Sequence, residues 1–448
     1  MKKRIFIIML AALLCLSGCG SGSGGSSGEY VCDKENSHAV EADGTTETFK
    51  NITVKKSGDG SGDNADFYGT NAAVFAQNGA QLTISDSVIS TDGEHANAVF
   101  SYGEGTVISI SNTQIDTYKS TSGGIMVTGG GTLNAEDLTV TTRSGSSAPI
   151  RSDRGGGKIN VNGGTYKSYG SGSPAVYSTA DINIENAELY SDIAEAVVIE
   201  GKNSVTITDS SVTGKNTVHN SDEADVYRNI MIYQSMSGDA AAGKGEFSMT
   251  GGTLTSQNGG MFFVTNTVAD IVLENVAMNY ASDDLLRIEK AGWGNDGSNG
   301  GQVNFYAKNQ QLEGDVTVDE ISVLNMYLEN GSSLCGSVSS AGKTYVEIDE
   351  GSTWTLTADS SVTALTCGSG CVILNGHTLT VNGTQYAEGT ASSGQAIEIT
   401  MPDSQMPDGE PPAIPDGEMP NGQEPPAKPD GQKPDGEMPD GEPPAKPV

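Results

Sequence analysis

Apolar and polar residues alternate along this chain in one short phrase, written six times between Asn71 and Val212. It reads QLTISDSVIS from Gln81, VISISNTQID from Val107, TLNAEDLTVT from Thr132, KINVNGGTYK from Lys158, DINIENAELY from Asp181 and SVTITDSSVT from Ser204. The copies begin 23 to 26 residues apart, which is a solenoid period, and the alternation within each predicts a strand with one buried face. The pairs Leu82 and Ile84, Ile108 and Ile110, Leu133 and Ala135, Ile159 and Val161, Ile182 and Ile184, and Val205 and Ile207 are expected to stack as one inward column. Two residues past each pair stands Asp86, Asn112, Asp137, Gly163, Asn186 or Asp209, the residue types that best tolerate a left-handed backbone. One apolar residue follows each corner: Ile89, Ile115, Val140, Tyr166, Leu189 and Val212. Strand, corner, strand, loop and strand repeating in this way predict an all-β fold, a right-handed parallel β-helix.

The phrase continues as EFSMTGGTLT from Glu246, DIVLENVAMN from Asp270, QVNFYAKNQQ from Gln302 and LNMYLENGSS from Leu324, then loosens towards a last strand, AIEIT, ending at Thr400. A first alternating strand between Val40 and Lys56 is expected to cap the open sheet edge at the start. The solenoid is therefore expected over 43–400. Two insertions interrupt it, one over 217–245 and one reading KAGWGNDGSNGG from Lys290. Insertions in a solenoid map to loops on one face and often make the binding face.

This column, with its corners, resembles the pectate-lyase-like superfamily of parallel β-helices in the form found on bacterial surface proteins, over about three quarters of the chain. The resemblance implies the fold. It does not select an activity, because the architecture carries lyases, hydrolases, adhesins and spacers alike.

Composition fits such an interior: of 448 residues only 35% are hydrophobic and 6% aromatic, since a narrow core needs few large side chains and each coil needs turn residues. The formal charge of −33 argues against nucleic acid and anionic membrane as partners and favours cations, Ca²⁺ among them. Beyond Thr400 the chain becomes a run of Pro, Asp, Gly and Glu, expected to stay disordered over 401–448.

At the other end, Lys2, Lys3 and Arg4 precede an apolar run from Ile5 to Leu16 that is short for a membrane span. It ends in Leu16-Ser17-Gly18-Cys19, which resembles a bacterial lipobox. That implies a signal peptide over 1–18, cleavage before Cys19, lipid on that cysteine and anchorage to the bacterial membrane outside the cytoplasm. Residues 19–42 then read as a flexible tether, Gly/Ser-rich as far as Gly28. Cys367 and Cys371, in CGSGC, are close enough in sequence to form a disulfide in an oxidising compartment, with free thiols as the alternative.

The turns that precede the repeated strands line one edge at about 4.8 Å per coil. They carry Tyr102, Glu104, Arg151, Asp153, Arg154, Glu200, Lys202, Tyr233, Asp239, Trp293, Asn295 and Asp296. Mixed charge beside aromatic rings suits an extended sugar chain, the rings stacking on sugars and the arginines clamping carboxylates. Tyr233 and Trp293 are expected two coils apart, about 10 Å, as two stacking platforms. The alternative is a solvated edge whose charges pair between coils.

Catalysis has weaker support. A glycosidase of this fold needs paired carboxylates on neighbouring coils, yet just two residues separate Asp283-Asp284 from the following Arg287 to Lys290 and no GHG motif occurs. A Ca²⁺-dependent lyase would call on Arg151, Asp153, Arg154 and Glu200. His38, His95, His219 and His377 stand in no metal or triad spacing. The expectation is a non-catalytic cell-surface lipoprotein that binds an extracellular polysaccharide or a surface protein. A lyase acting on acidic glycans and a structural stalk are the alternatives.

Overall fold

The computed structural model describes residues 26–219, 221 and 223–401. The leader, Cys19 and residues 402–448 lie outside the described residues. Each coil lays down three strands. In the first regular coil these are Gln81–Ser85 on a first face, Val88–Thr91 on a second and Val99–Tyr102 on a third. Successive coils pair in parallel on all three faces. The first and second faces join into one long sheet because Thr46–Lys56 runs unbroken through both, and the third face is a separate sheet of twelve strands. The molecule is a parallel β-helix.

The register is the one the alternation predicts. Leu82 pairs with Ile108, Ile108 with Leu133, Leu133 with Ile159, Ile159 with Ile182 and Ile182 with Val205. All twelve column residues are buried, and so are the six residues after the corners. Each corner has positive φ, from 45° at Asn112 to 74° at Gly163, so the bend between the first two faces is a left-handed residue that these short side chains accept. The bend into the third face is held by hydroxyls: Ser122 accepts from Ala96 N–H at 2.9 Å, Ser147 from Ser122 N–H at 3.0 Å and Ser173 from Ser147 N–H at 2.9 Å. Buried corner amides are thereby satisfied coil by coil, as a buried backbone requires.

Three boundaries differ from expectation. Ser26–Cys32 is already a strand, paired with the second half of Thr46–Lys56, so strands begin inside the stretch expected as tether; Tyr30 packs edge-on to Phe49 at 5.5 Å and helps cover the end of the core. The region 217–245 is not one insertion but two loops around a third-face strand, Arg228–Tyr233. Ala396–Thr400 is not a strand; its extended backbone crosses the first face, with Ile397 exchanging hydrogen bonds with the Asn325 amide at 2.9 Å and Thr400 N–H donating to Gln302 Oε1 at 2.8 Å. The far end closes with antiparallel pairs, Leu379–Val381 with Thr384–Gln385 and Ala364–Cys367 with Ser392–Ser393. These replace the parallel edge that would otherwise offer itself to a further strand.

Candidate functional site

The outer side of the third face is unlike a solvent-facing sheet. Its outward row runs in register through Phe75, Phe100, Met126, Arg151, Tyr177, Val198, Met231 and Phe263. The apolar members are buried because the insertions cover them. Helix Gly62–Phe67 and the residues after it lie over the first coils, where Thr128 Oγ1 donates to the Phe67 carbonyl at 2.7 Å and His38 stacks on Phe75 at 4.4 Å. Farther along, Ala224, Val226, Ala291 and Trp293 from the loops pack on Val198, Met231 and Phe263.

Between these two apolar covers lies a polar centre. Arg151 Nη2 stands 2.9 Å from Asp153 Oδ2. Arg154 Nη2 stands 2.7 Å from Asp239 Oδ1, and the same guanidinium lies 3.6 Å from Asp63 Oδ2 and 3.8 Å above the Phe67 ring. Glu200 is 1% exposed and accepts from the Tyr177 hydroxyl at 2.6 Å, from the Tyr233 hydroxyl at 3.3 Å and from both the N–H (3.3 Å) and the hydroxyl of Ser235. Burial pushes the Asp153 carboxyl up to about 6, against the opposing pull of Arg151 and with Asp239 adding to the rise. Burial also raises Glu200, which Ser235 and Tyr177 partly offset. These groups are held by in-chain partners, so the centre fastens the helix and the loop 234–243 to the sheet.

The structure brings together six of the twelve residues expected to line the edge, as the pairs Arg151 with Asp153, Arg154 with Asp239 and Glu200 with Tyr233. Trp293 joins them through Tyr233, but the two rings meet edge to face at 5.1 Å, with Arg228 over the indole at 5.8 Å. They are one packed unit and not two platforms, because the loops fold down onto the apolar outer row. Tyr102 packs against the Phe75–Phe100–Met126 cluster and meets Tyr68 at 5.8 Å, with burial pushing its hydroxyl up to about 12. Glu104, Lys202, Asn295 and Asp296 are exposed.

Several members of the centre lie outside the expected set. Asp63 and Phe67 come from the helix, Tyr177 from the third face and Ser235 from a loop. His95, whose Nδ1 is 2.6 Å from Asp66 Oδ1, belongs to the same region. The one available signal was length: the coil between Val40 and Val74 is longer than those after it. Nearby, Arg228 and Glu195 form a buried ion pair at 3.1 Å. The Asp283-Asp284 motif is local chemistry, Asp284 forking onto Arg287 at 3.2 Å.

Cys367 and Cys371 are both free thiols and not the expected disulfide. Cys367 points into the core towards the Tyr386 hydroxyl at 3.8 Å, whereas Cys371 turns to the Asp349 carbonyl at 3.9 Å. Among the described residues no three His, Cys, Asp or Glu side chains are grouped closely enough to hold a metal ion.

A second polar array lies on the outer side of the first face. Thr83, Ser109, Asn134, Asn160 and Asn183 stand in register on successive coils. With Ser111, Glu136, Asn162 and Glu185 they line an open furrow of about 530 Å³. Asn160 donates to Asn134 Oδ1 at 2.8 Å, and Asn183 to Asn160 Oδ1 at 3.2 Å. Comparison with family models, curated proteins and solved structures finds no match to this chain.

Proposed function

We propose that this protein is a non-catalytic cell-surface lipoprotein that binds an extended glycan along its solenoid. The observation that carries the reading is the mutual engagement of the charged groups in the polar centre. The carboxylates a lyase would call on, Asp153 and Glu200, are each held by an arginine, a tyrosine or a serine of the same chain. A general acid or base needs access to the proton it moves, and Asp153 and Glu200 are buried. Repeated amide and hydroxyl groups at one coil spacing suit a ligand that is itself a repeat. The resemblance to pectate-lyase-like surface proteins and the lipobox at Cys19 supply the setting, a solenoid held at the membrane by lipid on Cys19.

The reading is tested by isothermal titration of the full chain against pectic, cellulosic and host-type glycans, with parallel assays for unsaturated and reducing ends. Binding without product is expected. No binding to any glycan overturns the proposal in favour of a protein adhesin or a stalk; new unsaturated ends overturn it in favour of a lyase. Mass spectrometry of the mature N-terminus tests the anchor, and an unmodified Cys19 would leave a secreted protein.

A further inference from the structure

The geometry points to the furrow on the first face, and not to the charged edge beside the third, as the place where an extended neutral glycan is held. The inference rests on the glycan-binding reading and assigns it a site and a ligand class. Asn160 uses one amide N–H and one carbonyl lone pair within the ladder, which leaves it one further donor and one further acceptor. The ladder fixes the amide planes, so those groups need little ordering on binding. Exposed Glu136 and Glu185 on the neighbouring row supply acceptors for sugar hydroxyls.

The molecule already uses this chemistry once. On the same face, Asn325 is laddered to Asn304 at 3.1 Å and also holds the extended backbone at Ile397, donating to its carbonyl and accepting from its N–H. An outward amide on this sheet thus grips an extended chain that lies across the coils. The stretch from Thr83 to Asn183 spans four coil steps, roughly 19 Å at ~4.8 Å per step, and a pyranose residue is about as long as one step.

Charge selects the ligand class. The furrow is lined by two carboxylates, amides and hydroxyls, with no Lys or Arg, so a polyanion meets repulsion and a neutral polyol meets donors and acceptors. The same repulsion disfavours the acidic segment 402–448 as an occupant. The tyrosine ladder farther along this face is engaged with itself. Tyr306 and Tyr327 stack at 4.8 Å with their planes 8° apart, so each ring covers a face of the other.

The test titrates the full chain with linear β-1,4-linked hexasaccharides of glucose, mannose and xylose, and with oligogalacturonate. At least one neutral sugar is expected to bind. Its Kd should hold steady between low and high salt, because no ion pair forms. Asn160→Ala with Asn183→Ala should weaken binding roughly thirtyfold, two lost hydrogen bonds at about 1 kcal/mol each. The milder Asn160→Ser, with melting curves for each variant, separates lost contacts from lost fold. Neutral binding unchanged in the furrow variants but lost in Lys202→Ala or Asn295→Ala overturns the assignment and leaves the wider reading intact. Binding of oligogalacturonate alone does the same. Proteolysis of the segment 402–448 that is slow in the wild type and fast in Asn160→Ala/Asn183→Ala makes that segment the occupant and overturns the assignment as well. Failure of every sugar overturns the wider reading itself.

Discussion

Arg154 and Asp239 lie 85 residues apart in sequence, yet the Arg154 side chain donates to one Asp239 oxygen from both Nη2, at 2.7 Å, and Nε, at 3.2 Å. The same guanidinium covers Phe67 and faces Asp63. One side chain therefore clamps the early helix and the loop 234–243 onto the third face.

Arg154→Ala is expected to loosen that loop without unfolding the solenoid. The pair is about one-fifth exposed on each side, so solvent screening limits the loss to about 1–2 kcal/mol, the cation–π contact included. Hydrogen exchange should rise in 234–243 and 62–68 and stay unchanged in the column from Leu82 to Ile207. Equal exchange in variant and wild type would show that the clamp is not what holds the loop.

The pH dependence follows from Asp153. Its carboxyl is raised to about 6 in the fold, above the ordinary value near 4. Between about pH 6 and 4 the folded chain holds a proton that the unfolded chain has released, so the contribution of this residue to stability rises as pH falls from 7 towards 4. Glu200, raised by burial too, acts in the same direction. Asp153→Asn removes the dependence due to this group. Urea melts at pH 7, 5.5 and 4.5 should show wild type gaining on the variant as pH falls; a constant difference would contradict the raised value.

Ile184 has no exposed surface and pairs with Val161 and Ile207 in the inward column. Ile184→Asp buries a carboxylate with no cation in reach of the column and should cost more than about 4 kcal/mol. Loss of the cooperative thermal transition in circular dichroism is expected, and a normal melt would refute the register.

Asn186 sits at a corner with φ 55° and donates to Asn162 Oδ1 at 3.1 Å. Asn186→Ala should destabilise by about 1 kcal/mol because alanine resists the left-handed region, whereas Asn186→Gly should stay close to wild type. Thermal melts of the two variants measure the difference. An alanine variant as stable as the glycine variant would remove backbone conformation as the reason for the residue.

The thiols give a direct chemical check. Cys335 is exposed and Cys367 buried, with no bridge to Cys371. In the native protein Cys335 should react first with an alkylating reagent and the buried Cys32 and Cys367 slowest, and mass mapping under non-reducing conditions should find no 367–371 bridge.

The alternation by itself determined the coil. Once Leu82, Ile108, Leu133, Ile159, Ile182 and Val205 face one way, parallel stacking in that register buries all of them, and Asp, Asn or Gly at the next bend is the local residue that lets the chain turn. Those are short-range constraints, repeated every coil, and so legible in one dimension. The candidate site was not legible in that way. Arg154 finds Asp239 and Tyr233 finds Trp293 because insertions of unequal length fold back on an outer row that is apolar where an exposed sheet would be polar. The alternation identifies which residues leave the core but not whether a loop from another coil covers them. Cys367 and Cys371 make the same point at close range: four residues apart, they face different neighbours because one continues the inward column and the other has already turned out of it. The furrow of Asn134, Asn160 and Asn183 was written in the repeats all along, one outward position per coil. It became a site only when the register set those amides side by side within hydrogen-bonding distance.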